Sequence, residues 1–212
     1  MPSLETLAIF TAAALVLNLS PGPSNFYVLS RSLAQGTPAG LVATAGLAAG
    51  SLVHVAAAAL GLSAVFVYSP AAYGLLKLAG AGYLVYLGLA TLLTRGPATG
   101  AVAAAAPRPP GQIFRQSILV EVLNPKTALF FLAFLPQFAD VEAGPVGPQI
   151  LLLGMIVTLS GLPCDGTVAA LSGRAGRILS ASSLAQRLLN WVSGSILIGL
   201  GAFLAFGRRP GD

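Results

Sequence analysis

A short stretch in the middle of the chain, VEVLNPKTALFF, places charge and proline inside an otherwise apolar run. Its polar residues and proline are Glu121, Asn124, Pro125 and Lys126. A proline in a helix interior removes a backbone hydrogen bond and costs about 3 kcal/mol. The half-helix that begins after the proline then points free N–H groups and a positive dipole end at the break, where an anion binds readily. The stretch therefore predicts a broken helix that binds a polar ligand such as a carboxylate.

A second stretch, NLSPGPSNFYVL, repeats this pattern near the N-terminus. Its candidate substrate-binding residues are Asn18, Pro21, Gly22, Pro23 and Asn25. In both stretches aromatic residues follow the proline five and six positions later, Phe26 and Tyr27 here and Phe130 and Phe131 in the other. The matching patterns predict two breaks that face one site, with Asn124, Pro125 and Lys126 contributing from the second stretch.

Three titratable residues are candidates for proton coupling, namely Asp165, Glu121 and His54. A charged side chain at the centre of a membrane helix costs about 2.5–3.5 kcal/mol on insertion scales, so it needs a partner or a function. Burial favours the neutral form of a carboxylic acid, so such a group can take up a proton. The structural alternatives are an ion pair of Lys126 with Glu121 or Asp165, and a hydrogen bond from His54 to a neighbouring helix.

The composition indicates that these residues lie in membrane-spanning helices. Of the 212 residues 56% are hydrophobic and 8% charged, with mean hydropathy +0.85, whereas soluble domains carry about 25% charged residues. A spanning helix needs about 20 mostly apolar residues, and no alternation typical of a barrel is present. Six stretches qualify, at residues 4–33, 39–67, 71–94, 113–139, 147–172 and 188–207.

A segment rich in Pro, Gly and Ala, residues 95–112, separates three spans from three. With an odd number of spans in each half, the second half must be inverted relative to the first, as in inverted-repeat transporters. We therefore expect an all-α polytopic membrane fold of two three-helix repeats, 1–94 and 113–212, with the first and fourth spans broken at the proline motifs.

The positions of the basic residues predict the orientation. Seven arginines lie beside the ends of alternate spans: Arg31, Arg95, Arg108, Arg115, Arg174, Arg177 and Arg187. Basic residues near helix ends mark the cytoplasmic side, so the 95–112 linker is expected there and both termini outside. Arg208 and Arg209 argue for the opposite side. The basic residues form no stripe, so nucleic acid is not an expected partner.

The scarcity of catalytic and ligating residues argues against other function classes. A membrane enzyme would need a nucleophile with a base or a metal cluster, and the chain has one cysteine, Cys164, and one histidine. We expect no enzymatic activity, no cofactor and no metal site. A cation exporter of related architecture stays open as an alternative, although only Glu121 and Asp165 would qualify as oxygen ligands.

Three motifs resemble those of the LysE/RhtB family of bacterial amino-acid exporters: SPGP in the first span, KLAGAGYLVYLG in the third and NPKTALFFLAFLPQF in the fourth. The resemblance runs over nearly the whole chain. Pro21, Gly22 and Pro23 match the first family motif, and Asp165 matches an acidic position in the fifth span. The nearly uncharged 95–112 loop departs from the family, which leaves any regulatory role of that loop open.

The resemblance implies export of an amino acid or a related small metabolite across the bacterial inner membrane by proton antiport. The implied partners are the substrate, protons and membrane lipid. The resemblance does not fix which amino acid is carried, because the family spans basic, neutral and branched substrates. It also leaves a homo-oligomer open.

Overall fold

The computed structural model describes residues 1–20, 22–68, 70–93, 106–172 and 183–206, and every regular element in these ranges is helical. The first half contains α1 (Leu4–Leu19), α2 (Pro23–Gln35), α3 (Thr37–Tyr68) and α4 (Pro70–Leu93). The second half contains α5 (Pro110–Val122), α6 (Pro125–Leu129), α7 (Val146–Leu171) and α8 (Ser183–Phe206). After α6 the chain continues as a π-helical turn, Phe130–Phe134, and a 3₁₀ turn, Leu135–Phe138.

The described helices include two that could cross a membrane unaided, Thr37–Gly61 within α3 and the whole of α7. Two bent pairs have the same length and apolar character when each is counted as one broken span. These pairs are α1 with α2, bent by 50°, and α5 with Pro125–Phe138, bent by 46°. The number of candidate spans in the described ranges is therefore two, or up to four with the bent pairs. The all-α membrane fold is confirmed, whereas six spans in inverted repeats stay a prediction.

Both bends fall on the proline motifs. The first break covers Ser20–Gly22, where Ser20 and Gly22 are extended and α2 begins at Pro23. The second break covers Leu123 and Asn124, after which α6 begins at Pro125. Proline is tolerated at the first helical position because its missing N–H would have no helical partner there. The predicted breaks of the first and fourth spans are therefore confirmed. Pro21 itself lies outside the described residues.

Helix α3 packs against both α5 and α7 and so brings the two halves together. Small residues permit the close approach to α5, since a Cβ atom on Gly50 would lie 2.7 Å from Glu121 Cβ. On the other side α3 runs antiparallel to α7. A Cβ on Gly40 would lie 2.8 Å from Ala169 Cβ, and Ser51 Oγ lies 2.8 Å from Thr158 Oγ1. These contacts fix the register between α3 and α7.

An aromatic cluster attaches the segment after the second break to α1. Phe10 of α1 contacts Phe130 and Phe138, with ring centroids 6.0 and 5.1 Å apart. The Phe134 ring is tilted against those of Phe130 and Phe138, with centroids 4.7 and 5.1 Å apart. All four side chains are buried. Aromatic pairs at such distances are favourable beyond their buried area, so the cluster holds the two broken spans side by side.

Candidate functional site

A small polar cavity lies between the two breaks. Its walls include six of the residues proposed from sequence: Asn18, Asn25, Glu121, Asn124, Lys126 and Asp165. The cavity has a volume of about 40 Å³, which is room for about three water molecules. The structure thus brings residues from both sequence motifs and from α7 into one site.

The other proposed residues lie around this cavity. Gly22 packs directly against the Lys126 side chain, while Pro23 and Pro125 begin the two half-helices with exposed rings. His54 is half-buried, and its Nε2 hydrogen-bonds to the backbone oxygen of Glu121 at 3.0 Å. Its ring stacks on Phe131 at 5.6 Å. His54 therefore hydrogen-bonds to a neighbouring helix next to the second break, which agrees with the structural alternative given for it. Its part in proton coupling stays a prediction.

Lys126 follows the second break in the chain, but its ammonium group binds backbone oxygens at the first break. Its Nζ donates hydrogen bonds to Leu17 O at 3.1 Å and Ser20 O at 2.8 Å. These oxygens belong to the C-terminal end of α1, where a positive charge is favoured by the helix dipole. A Cβ on Gly22 would lie 2.9 Å from Nζ, so glycine at this position leaves space for the ammonium group. In the described part of the chain, Lys126 thus bonds to carbonyls rather than pairing with Glu121 or Asp165.

The side chains of the second break reach the N-terminal turn of α2. Asn124 Oδ1 accepts a hydrogen bond from Lys126 N at 3.1 Å and so caps α6. Asn124 Nδ2 donates to Ser24 Oγ at 2.9 Å, and Ser24 Oγ donates to Glu121 Oε2. All three side chains are buried. Ser24 therefore joins the two breaks through hydrogen bonds.

The first turn of α2 contrasts with that of α6, because its N-cap residue, Gly22, provides no side-chain hydrogen bond. A helix leaves its first N–H groups without helical partners, and these attract negative charge. Ser24 and Asn25 of this turn both line the cavity. The first turn of α2 is therefore the backbone donor group that a carboxylate in the cavity could use.

Asp165 brings a carboxylate to the same cavity from α7. Its Oδ1 accepts a hydrogen bond from Asn25 Nδ2 at 3.2 Å, and the same amide group donates to Asn18 O at 3.0 Å. Asn18 in turn donates to Val157 O and Ser160 Oγ, at 3.1 and 3.0 Å. Two asparagines from the first motif thus fix α7 against the first break. The carboxylate faces a cavity in which a cationic group could bind it.

Sequence reasoning missed several hydroxyl residues that line the cavity. They are Ser24, Thr44, Ser51, Thr127 and Thr158. Serine and threonine in helices commonly bond to their own helix backbone, so their types and spacing carry no signal of a site. For Ser24 alone the position beside the SPGP motif was a usable signal. Among the described residues no group of three His, Cys, Asp or Glu side chains is placed to hold a metal ion.

Apolar helices, broken spans and a buried polar cavity together define a multi-pass, all-helical membrane protein. Residues 15–208 match the family described as LysE type translocator, so the chain belongs to this family. An uncharacterized membrane protein of Vibrio cholerae is 32% identical over 197 residues, covering 92% of this chain and 94% of the relative. No solved structure matches the chain significantly.

Two further relatives carry names that state what they export. A leucine efflux protein of Salmonella choleraesuis is 27% identical over 197 residues, which is 92% of this chain and 92% of the relative. A homoserine/homoserine lactone efflux protein of Salmonella typhimurium is 30% identical over 197 residues, covering 92% of this chain and 93% of the relative. The similarity thus extends over nearly the full length of both proteins.

Proposed function

We propose that this protein is a secondary transporter that exports an amino acid, or a closely related small metabolite, across the bacterial inner membrane in exchange for protons. The observation that carries the proposal is the cavity in which Asp165 and the uncapped first turn of α2 meet. The names of the relatives, which specify leucine and homoserine efflux, support an amino acid as the substrate. Membership of a translocator family favours transport over the membrane-enzyme alternative.

The cavity offers complementary groups for the two charges of an amino acid. Asp165 supplies a carboxylate for the substrate ammonium group, held in place by its bond from Asn25. The first turn of α2 supplies backbone donors for the substrate carboxylate. A lysine ammonium group has three N–H donors, and Lys126 uses two of them on Leu17 O and Ser20 O. No acceptor among the described residues takes the third, so it could bind the same carboxylate.

Proton coupling follows if a proton and the substrate ammonium compete for Asp165. The protonated carboxyl group no longer attracts the ammonium, so substrate binding weakens as the pH falls. Glu121 and Lys126 line the same cavity and contribute to its field. Glu121, held by Ser24, is the second candidate carrier, and His54 is the third.

Uptake of radiolabelled leucine and homoserine into inverted membrane vesicles, with and without a proton gradient, tests this function. Gradient-dependent uptake of either amino acid supports the proposal, and its absence for a panel of amino acids contradicts it. Gradient-driven uptake of a metal cation without amino-acid uptake would instead favour the cation-exporter alternative.

Replacing Asp165 with Asn tests the coupling. Asp165→Asn preserves the shape of the side chain but exchanges no proton, so proton-driven uptake should be lost and substrate binding should no longer depend on pH. The matched variant Glu121→Gln, in the same cavity, should retain pH-dependent binding. If Asp165→Asn transports normally with wild-type pH dependence, Asp165 has a structural role and Glu121 or His54 is the carrier.

We also propose that the 95–112 linker is cytoplasmic and that both termini are outside, as the arginine positions favour. Pro107 is exposed at the end of this linker. In a Cys164→Ser background, Pro107→Cys should react with an impermeant thiol reagent in inverted vesicles but not in intact cells. The reverse pattern of labelling would overturn the orientation.

A further inference from the structure

The cavity continues between α3 and α7, where it has polar residues at both ends. The register fixed by Gly40 with Ala169 and Ser51 with Thr158 pairs residues across the two walls. The cavity-lining pairs are Thr44 with Asp165, Ala48 with Gly161, and Ser51 with Thr158. Small residues therefore occupy the middle of this strip on both helices. The Asn18 side chain lies beside them, since a Cβ on Gly161 would be 3.6 Å from its amide atoms.

The pattern of hydrogen bonds around Thr158 favours an arrangement in which Ser51 presents an acceptor to the cavity. A hydroxyl group has one proton, and Thr158 Oγ1 donates its proton to Gly154 O at 3.1 Å. The hydrogen bond of 2.8 Å between the two hydroxyls is then donated by Ser51. Ser51 is 6% exposed, and among the described residues only the Thr158 hydroxyl lies within hydrogen-bond distance of its oxygen. Its lone pairs are free to accept a hydrogen bond from a ligand.

The separation of the two ends suits a small molecule with two donor groups. Thr158 and Asp165 lie two helical turns apart on α7, which is about 10 Å along the axis. If the acceptor oxygens of Asp165 and Ser51 have about the same separation as these helix positions, two hydrogen bonds of about 3 Å each leave about 4 Å between the donor atoms of the ligand. An amino group and a side-chain donor have this separation in an amino acid with a short side chain.

We propose that Ser51 selects the substrate by accepting a hydrogen bond from the end of its side chain. The favoured class is an amino acid whose short side chain ends in a hydroxyl or a primary amide. An aliphatic side chain of equal length leaves the Ser51 oxygen without a donor. This inference rests on the proposed function, because it takes the substrate ammonium group to lie at Asp165.

Homoserine and norvaline form a matched pair of probes, since the second has a methyl group where the first has its hydroxyl. Purified protein in proteoliposomes should transport homoserine with a KM about fivefold lower than that for norvaline, the ratio expected for one neutral hydrogen bond. Ser51→Ala should abolish this preference by raising the KM for homoserine, while norvaline transport continues. Continued norvaline transport also shows that the variant is folded.

Thr44→Val is the matched control at the opposite end of the strip. The Thr44 hydroxyl donates to Gly40 O of its own helix at 3.1 Å, so its removal should affect both probes alike and preserve their ratio. If Ser51→Ala fails to accumulate, Ser51→Cys, with a weaker acceptor, should reduce the preference instead.

The outcomes separate this inference from the proposed function. Equal KM values for the two probes in the wild-type protein, or a preference that survives in Ser51→Ala, would overturn the role of Ser51 and leave amino-acid export standing. If the wild-type protein transports neither probe nor any other amino acid, the proposed function falls, and the role of Ser51 falls with it.

Discussion

The two breaks have similar sequences but satisfy their backbone groups differently. The second break caps itself, because Asn124 accepts a hydrogen bond from Lys126 N at 3.1 Å. The first break has no side-chain cap at Gly22, and its carbonyls depend on Lys126 and Asn25. The first break therefore keeps backbone donors available to a ligand, while the second supplies the side chains that hold the site together. Similar proline motifs thus serve two functions.

Replacing one proline in each motif should make the two breaks alike, and we expect this change to lower transport more than any other considered below. Pro21→Ala with Pro125→Ala removes one proline from each break, while Pro23 stays at the start of α2. The flanking helices can then extend into the breaks and cover free backbone groups. Transport should fall by about a hundredfold or more, since donors for the substrate carboxylate would be lost while the protein still inserts. Vesicle uptake normalised to membrane protein level measures this. Normal transport by the double variant would contradict the assignment of the site to the breaks.

A smaller change at Gly22 tests the dependence of the first break on Lys126. In Gly22→Ala the new Cβ would lie 2.9 Å from Lys126 Nζ, so the ammonium group must withdraw from Leu17 O and Ser20 O. Weakening two charge-assisted hydrogen bonds should lower stability by about 2 kcal/mol and transport by about tenfold. Thermal unfolding in detergent and vesicle uptake measure the two effects.

Gly166→Ala is the control for this substitution, because no atom lies within 4 Å of its added Cβ. Its thermal stability and transport should stay close to those of the wild-type protein. If Gly22→Ala has the same thermal stability and transport rate as Gly166→Ala, the hydrogen bonds from Lys126 to the end of α1 do not contribute to function.

The smallest effect is expected at the second break. Asn124→Ala removes the cap of α6, at a cost of about 1 kcal/mol, and the donor to Ser24. Transport should fall only severalfold, since Lys126 can still reach the carbonyls of the first break. Asn124→Ser retains a capping oxygen and should recover most of the lost stability. A loss of transport as large as that of the double proline variant would show that the two breaks are equally sensitive.

Sequence alone predicted the features that depend on local composition. The all-helical apolar character and the breaks at both proline motifs agree with the structure, and Asn25, Lys126 and Asp165 line one cavity. The six-span arrangement and the roles of these residues stay predictions. Proline and charge inside an apolar helix are costly, so their positions carry information without knowledge of the neighbours.

Features that depend on packing between helices were not predictable. Lys126 contacts Leu17 and Ser20, more than a hundred residues away, whereas the sequence offered the nearer Glu121 as its partner. The π-helical turn at Phe130–Phe134 was also missed, because its residues suit an α-helix equally well. The pairing of Ser51 with Thr158 follows from the register between α3 and α7, which hydropathy does not encode.

Because the chain bends at each break, a small rotation there moves the far end of the attached half-helix by a larger distance. Helices α2 and α5 contain 13 residues each, so each extends about 20 Å from its break. A rotation of about 10° at a break would therefore displace the far end of the helix by about 3 Å, roughly the width of a water molecule. The cavity of about 40 Å³ is too small for an amino acid, so the site must widen to admit one. Such a rotation would widen the path to the cavity from one side, while the polar residues next to the breaks would hardly move. The far ends of both half-helices lie together, since Gln35 at the end of α2 hydrogen-bonds to Arg108 just before α5. Small angular changes at the two breaks would thus suffice to open the site at this one end.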